Sequence, residues 1–155
     1  MIFRRGNKDD IVQMLPLWQY LVDTHAELEK MFMTVDDAAP KFAEFLKSLL
    51  DKDNYLVSVA EADSKIVGYV IASVSLTPEV FVIRKRMYIQ DMVIDPAYRR
   101  KGIAKQLMNV VMAFAKEQQV EKMDLLVAVK NEGANKFWKE MGFEPALNYM
   151  NLYLA

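Results

Sequence analysis

Three cations, Arg99, Arg100 and Lys101, stand directly before Gly102, and Lys105 follows within one helical turn. From Ile103 the apolar residues Ile103, Leu107, Val110, Val111 and Phe114 recur at helical spacing, so Gly102 lies at a helix start. A helix N-terminus carries backbone N–H groups without intrahelical partners and a partial positive charge, and it holds phosphate well where the backbone can be approached closely. Glycine allows that approach. Bulky side chains at Gly102 or Ala104 would stand in the ligand's way. The element is a candidate pyrophosphate cradle, although a solvated basic turn between an ordinary strand and helix accounts for the same residues.

Composition narrows the remaining chemistry. With no cysteine, disulfides, thiolate zinc sites and cysteine nucleophiles are excluded. His25 is the single histidine, so a His-rich metal site is excluded too. It continues an apolar helical face, as a half-buried structural histidine or as a proton carrier at an acceptor site. The 20 basic and 21 acidic residues leave no overall field to gather nucleic acid, so the basic turn calls for a local, small anionic partner. No apolar run approaches the roughly 20 residues of a membrane span. Arg4 and Arg5 are followed by no long apolar core of a signal peptide. The expectation is a soluble, cytoplasmic protein without a membrane or nucleic-acid partner.

These groups need a scaffold. At 155 residues, 53% apolar and 26% charged, the chain fits a single globular domain over 1–155. Residues 87–94 mix apolar side chains onto both faces, as a central strand buried between layers does, and Asp95, Pro96, Ala97 and Tyr98 end it with turn chemistry. Upstream, residues 2–5 read as a short edge strand closed by Gly6 and Asn7. Asp9 and Asp10 favour a helix start. Ile11, Met14, Leu15, Trp18, Leu21, Val22, His25 and Leu28 mark one helical face, with Pro16 expected to kink or interrupt it. Met31, Phe32 and Met33 form an apolar knot, either a core plug or a flexible lip over a substrate cleft. Asp36 or Asp37 opens a second helix carrying Phe42, Phe45, Leu46, Leu49 and Leu50.

Residues 55–61 alternate as a strand and 66–76 form a long β-rich run, together a hairpin, with Gly68 marking a bulge or a close backbone approach, and residues 80–83 pair weakly or form a loop. After the Gly102 helix, residues 123–129 read as an apolar strand. Residues 131–141 follow as a short helix ended by Gly142, and 149–154 as a half-exposed final strand. This order predicts an α/β fold: a mixed, mostly antiparallel central sheet flanked by helices, with a parallel strand pair on either side of the Gly102 helix.

The pattern of Ile89 to Asp91, then Asp95, Pro96, Tyr98 and Arg99-x-x-Gly102-x-Ala104, closely resembles the acetyl-CoA signature of the GNAT superfamily of N-acetyltransferases, Arg/Gln-x-x-Gly-x-Gly/Ala. A second block, Asn131, Ala134, Phe137, Trp138, Met141, Gly142 and Phe143, resembles the same family. The resemblance implies acetyl-CoA as cofactor, a primary amine of a small molecule or peptide as acceptor, a homodimer, and a splayed parallel strand pair that receives the pantetheine arm. It implies that Met92, Val93 and Ile94 pair by backbone with that arm, the Val93 N–H facing the thioester oxygen. The pyrophosphate falls to Arg100, Lys101, Gly102, Ile103, Ala104 and Lys105, with Arg99 beside them. Asn131 matches the family's asparagine on the cofactor arm and serves equally as an N-cap. The segment joining the first two helices, around His25, Met31 and Phe32, shapes the acceptor site in that family.

Acetyl transfer to an amine requires attack geometry, a neutral nitrogen and help for the developing oxyanion. An amine of pKa about 8 to 10 must lose a proton, whereas a thiol of about 8.5 leaves readily, so a base matters more than an acid. Two positions depart from the family pattern. Trp138 stands where many members carry a tyrosine as general acid, and an indole N–H is not a usable acid. Tyr149 and Tyr153 are the candidate replacements. Gln90 stands before Asp91, where relatives often carry an acidic residue, leaving Asp91, Glu61, Glu79 or His25 acting through water as candidate bases. Asp91 is preferred, its alternative being a structural carboxylate bonded to backbone or an arginine. Trp138 keeps open a second reading, a CoA-binding module without turnover. RNA binding through residues 99–105 is opposed by the balanced net charge.

Overall fold

Asp63 and Ser64 both adopt left-handed backbone, with φ of 50° and 63°, the pair of positive angles that a tight two-residue hairpin requires. They join β2 (Tyr55–Ala62) to β3 (Lys65–Leu76) in the computed structural model, which describes residues 1–154. Around this hairpin stand β1 (Ile2–Arg5), α1 (Ile11–Leu28), α2 (Ala38–Leu50), β4 (Lys85–Ile94), α3 (Ile103–Glu117), β5 (Lys122–Leu125) and α4 (Glu132–Glu140). The sheet order is β1-β2-β3-β4-β5. Three pairings are antiparallel and β4–β5 is parallel, as the α3 crossover requires. The mixed, mostly antiparallel sheet expected from the sequence is formed.

Each face of the sheet carries its own core. On one, Val67, Val70, Ala72, Met87 and Ile89 pack under Leu107, Met108, Val111 and Phe114 of α3. On the other, Val57, Val59, Tyr69, Ile71 and Val93 lie beneath Met14 and Trp18 of α1 and Leu46 and Leu49 of α2. Trp18 stacks on Phe42 at 4.3 Å, which locks the two helices together. Pro16 lies inside α1 without ending it. Its ring is exposed, so the missing N–H falls on the solvent side.

The hairpin is pinned to β4 by a glycine. A Cβ on Gly68 would meet Ile94 Cδ1 at 2.7 Å and the Val93 carbonyl oxygen at 3.0 Å. The β2–β3 register shifts beside it, because Ala60 opposes Gly68 while Glu61 opposes Ile66. Gly68→Ala is therefore expected to destabilise the protein by about 1–3 kcal/mol through overpacking, read as a lower urea midpoint at unchanged m-value.

Of two expected strands, one is shorter than its apolar run suggested and the other does not form. β5 stops at Leu125, and Leu126 and Val129 are exposed beyond it. The reason lies in β4, where Ile89 opposes Ala72 and Asp91 opposes Ile71, so Gln90 is an extra, bulged residue. The parallel pairing ends at Ile89 and Leu125, at that bulge. Beyond it β4 keeps β3 on one side and has no strand on the other, which is the splay that the resemblance implied. Residues 149–154 form no strand. A strand is made by ladder hydrogen bonds, and this segment is tied down instead by Tyr153, whose hydroxyl donates to the Glu29 carboxylate. Met150 and Leu152 stay exposed.

Candidate active site

The turn after β4 is held from within. Asp95 caps the short helical turn Pro96–Tyr98 by accepting the Ala97 N–H at 3.0 Å, and pairs with Lys65 at 2.9 Å. Arg100 and Gly102 then both take left-handed backbone, with φ of 63° and 77°. Positive φ is unfavourable for the arginine and free for the glycine. Together they curl the chain so that successive N–H groups converge, a concavity suited to anions. The first helical bond of α3 runs from the Gln106 N–H to the Gly102 carbonyl, 3.1 Å. The N–H groups of Gly102, Ile103, Ala104 and Lys105 thus have no acceptor within the described chain, and the space a Gly102 Cβ would enter is open to at least 4 Å. The cradle is built from free donors at an open surface, and a diphosphate fits it.

The cations around it are not equivalent. Arg99 donates to the Tyr20 hydroxyl at 3.1 Å and lies over that ring, so α1 holds it at the rim. Lys101 and Lys65 lie over the Tyr98 ring at 4.8 Å and 5.4 Å. Arg100 and Lys105 are exposed.

The open side of β4 corrects one expectation. Asp95 donates its N–H to the Val67 carbonyl at 2.8 Å, next to the Gly68–Ile94 pair. Backbone donors alternate sides along a strand, so the Val93 N–H also points to β3, toward Tyr69. It is the N–H groups of Met92 and Ile94 that face the unpaired side. The Val93 N–H therefore does not face the opening as expected, because the sequence does not reveal which side of the ladder a given amide faces.

Asp91 projects from the face covered by α1, with Val93 and Tyr69. Burial pushes its carboxyl up to about 6, and no neighbouring charge or hydrogen bond offsets that. The arginine or backbone partner of a structural carboxylate is therefore absent among the described residues. The other candidate bases lie elsewhere. Glu61 accepts from Arg4 at 2.7 Å, in a cluster where Arg4 also grips Asp10. Glu79 lies in the exposed loop before β4, at the opposite end of the strand from Gly102.

The residues expected to shape an acceptor site, His25, Met31 and Phe32, gather where α1 ends. His25 is half-buried, pairs with the Phe32 ring at 5.1 Å, and is held neutral by burial. Met31 and Met33 are 46% and 68% exposed, so this knot is not a core plug. Glu29 caps the turn Lys30–Phe32 and receives the Tyr153 hydroxyl, while Lys30 lies 5.0 Å over the Tyr153 ring. The Tyr153 phenol is pushed up by that bond to Glu29. Tyr149 is 63% exposed. Asn131 caps α4 by accepting the Ala134 N–H at 3.1 Å, which leaves its amide NH2 free. Trp138 packs edge-on between Phe137 and Phe143, at 4.9 Å and 5.3 Å, an aromatic core role.

Sequence reading missed Tyr69, Tyr20 and Glu29. Tyr69 was hidden in an uninterrupted apolar run, and only the pairing of β3 with β4 brings it beside Asp91. Tyr20 and Glu29 look like ordinary exposed positions of a helix and its end.

The family model described as Acetyltransferase (GNAT) family matches residues 19–143 of the chain. The uncharacterized N-acetyltransferase MJ1207 of Methanocaldococcus jannaschii is 31% identical over 100 residues, which are 64% of this chain and 44% of that protein. The chain thus spans less than half of that relative's length. An uncharacterized N-acetyltransferase of Archaeoglobus fulgidus is 28% identical over 138 residues, 89% of each chain. Among solved structures, a tetramutant of the BH1408 protein from Bacillus halodurans superposes with a TM-score of 0.88 at 22% identity, covering 99% of this chain and 100% of that one. The aminoglycoside N-acetyltransferase AAC(6')-Iy, in complex with CoA, superposes at 0.75 with 19% identity, covering 99% of each. At such identities the structures match the fold alone.

Proposed function

Since the chain belongs to the GNAT acetyltransferase family, we propose that it transfers the acetyl group of acetyl-CoA to a primary amine of a small molecule or peptide by direct attack. The observation that carries this reading is the run of four free N–H groups from Gly102 to Lys105, one short turn after the unpaired stretch of β4. The bound cofactor supplies an acetyl group activated as a thioester, with a thiolate of ordinary acidity as leaving group.

The chain's own groups then divide the work. The cradle and its flanking cations fix the diphosphate. The amide NH2 of Asn131 reaches toward the arm, and the outward N–H groups of Met92 and Ile94 stabilise negative charge as it develops on the acetyl oxygen. Asp91, one residue from Met92 and on the α1 face, takes the amine proton through water. A carboxylate near 6 is ionised at neutral pH and still basic enough to assist. The lip of Met31 and Phe32, with His25 behind it, bounds the acceptor. Tyr149 and Tyr153 serve at most to re-protonate the departing thiolate. Aminoglycoside N-acetyltransferases share this fold, which puts aminoglycosides among the acceptors to be tried.

Thiol release from acetyl-CoA, followed across aminoglycosides, polyamines and peptide N-termini, tests the proposal. Turnover with at least one amine, and none without amine, is the expected result. Failure to bind CoA sinks it, and tight CoA binding with no turnover on any amine selects the binding-module reading that Trp138 raises.

A further inference from the structure

Four enclosed side-chain atoms lack a hydrogen-bond partner among the described residues: Tyr69 Oη, Gln90 Oε1, Arg86 Nε and Asp124 Oδ2. Folded proteins leave few such groups, so each calls for an explanation. Arg86 and Asp124 form an ion pair of 2.5 Å with each other, and their leftover atoms are its spare valences. Tyr69 and Gln90 have no such partner, and both flank Asp91.

The sheet register explains the arrangement. Tyr69 opposes Val93 and Asp91 opposes Ile71, so Tyr69 and Asp91 share a face at diagonal positions of adjacent strands, within reach of an aromatic side chain. Gln90 is the extra, unpaired residue of the bulge, directly before Asp91, which opposes Ile71, and directly after Ile89, which opposes Ala72. Tyr69 is fully buried beneath α1, so its hydroxyl has no bulk solvent to turn to.

We propose that Tyr69 is a positioning residue for Asp91: its hydroxyl, the Gln90 amide oxygen and the Asp91 carboxylate together hold the one water through which the acceptor's proton travels. The inference rests on the reading of Asp91 as the base. The hydrogen-bond inventory closes. The water accepts the Tyr69 O–H and donates one proton to Asp91 and the other to Gln90. Its second lone pair is left for the N–H of the acceptor amine. As the amine attacks, its proton passes to the water oxygen while the water's own proton moves to Asp91, and the water is regenerated. This accounts for a chain with glutamine at the bulge, because an amide oxygen holds the water without competing for its proton.

Other groups near this face do not take that role. On α1, Tyr20 is engaged with Arg99, Asp23 and Glu27 are exposed, and His25 is kept neutral by burial. On the sheet, Tyr88 and Tyr69 are phenols pushed up by burial and by the charge of Asp91, and Asp124 of β5 acts on Tyr88 and Arg86.

The test compares wild type, Tyr69→Phe and Asp91→Asn. Asp91 is titrated by NMR of carboxyl-labelled aspartate, its signal assigned by loss in Asp91→Asn, and turnover is read by thiol release with the fastest amine of the panel. If Tyr69 anchors the water, Tyr69→Phe raises the Asp91 midpoint by about one pH unit and lowers kcat about tenfold, with the KM for acetyl-CoA unchanged. An idle, orphaned hydroxyl gives the opposite: a higher melting temperature, with the Asp91 titration and kcat unmoved. That outcome overturns the proposal. The titration needs no acceptor, so a normal turnover in Asp91→Asn removes the base reading alone, while an unmoved titration removes the contact with Tyr69.

Discussion

A Gly102→Glu variant is expected to lose CoA affinity by at least about a hundredfold, near 3 kcal/mol, while remaining folded. Gly102 caps α3 at φ 77°, and a side chain there points into open space, so nothing inside the protein resists it. The local cost is the strain of a left-handed non-glycine residue, about 1–2 kcal/mol, drawn from an exposed turn and not from the core. The binding cost is larger. A carboxylate is set at the positive end of α3, among the four N–H groups that must receive the diphosphate, and competes for them. Gly102→Ala separates the two effects, since it carries the same strain without the charge and should weaken CoA far less. Calorimetric titration with CoA reads both, and circular dichroism checks the fold. CoA affinity of Gly102→Glu equal to wild type would show that the diphosphate binds elsewhere.

The cradle was legible because its physics is local. A turn, a glycine, a helix start and nearby cations all lie between Asp95 and Lys105, and the reading needed no knowledge of what stands opposite. The two-sided core was legible for a similar reason, since residues 66–76 and 87–94 are apolar on both faces. Gly68 was marked as a bulge or a close approach, and both hold: the register shifts beside it and Ile94 fills its missing side chain.

What the sequence withheld depended on pairing. The side of the ladder that an amide faces follows from the register of β3 against β4, so Val93 was expected to face the opening where Met92 and Ile94 do. The Gln90 bulge is invisible in composition, yet it ends β5 at Leu125 and thereby opens the sheet. Alternation at 149–154 promised a strand, but alternation only states which faces would differ if a neighbour offered a ladder. Tyr69 was one apolar-looking residue in a run of them until its partner strand placed it by Asp91.

Asp91→Asn is expected to lower kcat by roughly 10²–10⁴-fold at pH 8, the range for removing a positioned base. In wild type the rate should fall as pH drops through about 6, because protonated Asp91 cannot accept the amine's proton. That acid limb disappears in the variant. Stability should move the other way. An aspartate titrates near 3.9 in the unfolded chain and at about 6 here, so between those values the native state holds more protons than the unfolded one. Native stability from this group is full below pH about 4 and is lost as pH rises through about 6, a loss on the order of 3 kcal/mol. An uncharged amide of the same shape escapes most of that loss, so Asp91→Asn should melt at a higher temperature than wild type at pH 8 and at a similar one near pH 4. Slow turnover in a more stable protein is the mark of a carboxylate kept buried for chemistry. Slow turnover in a less stable one would return Asp91 to the structural role, and kcat within about threefold of wild type at pH 8 would remove it from the proton path, since a positioned base is worth far more.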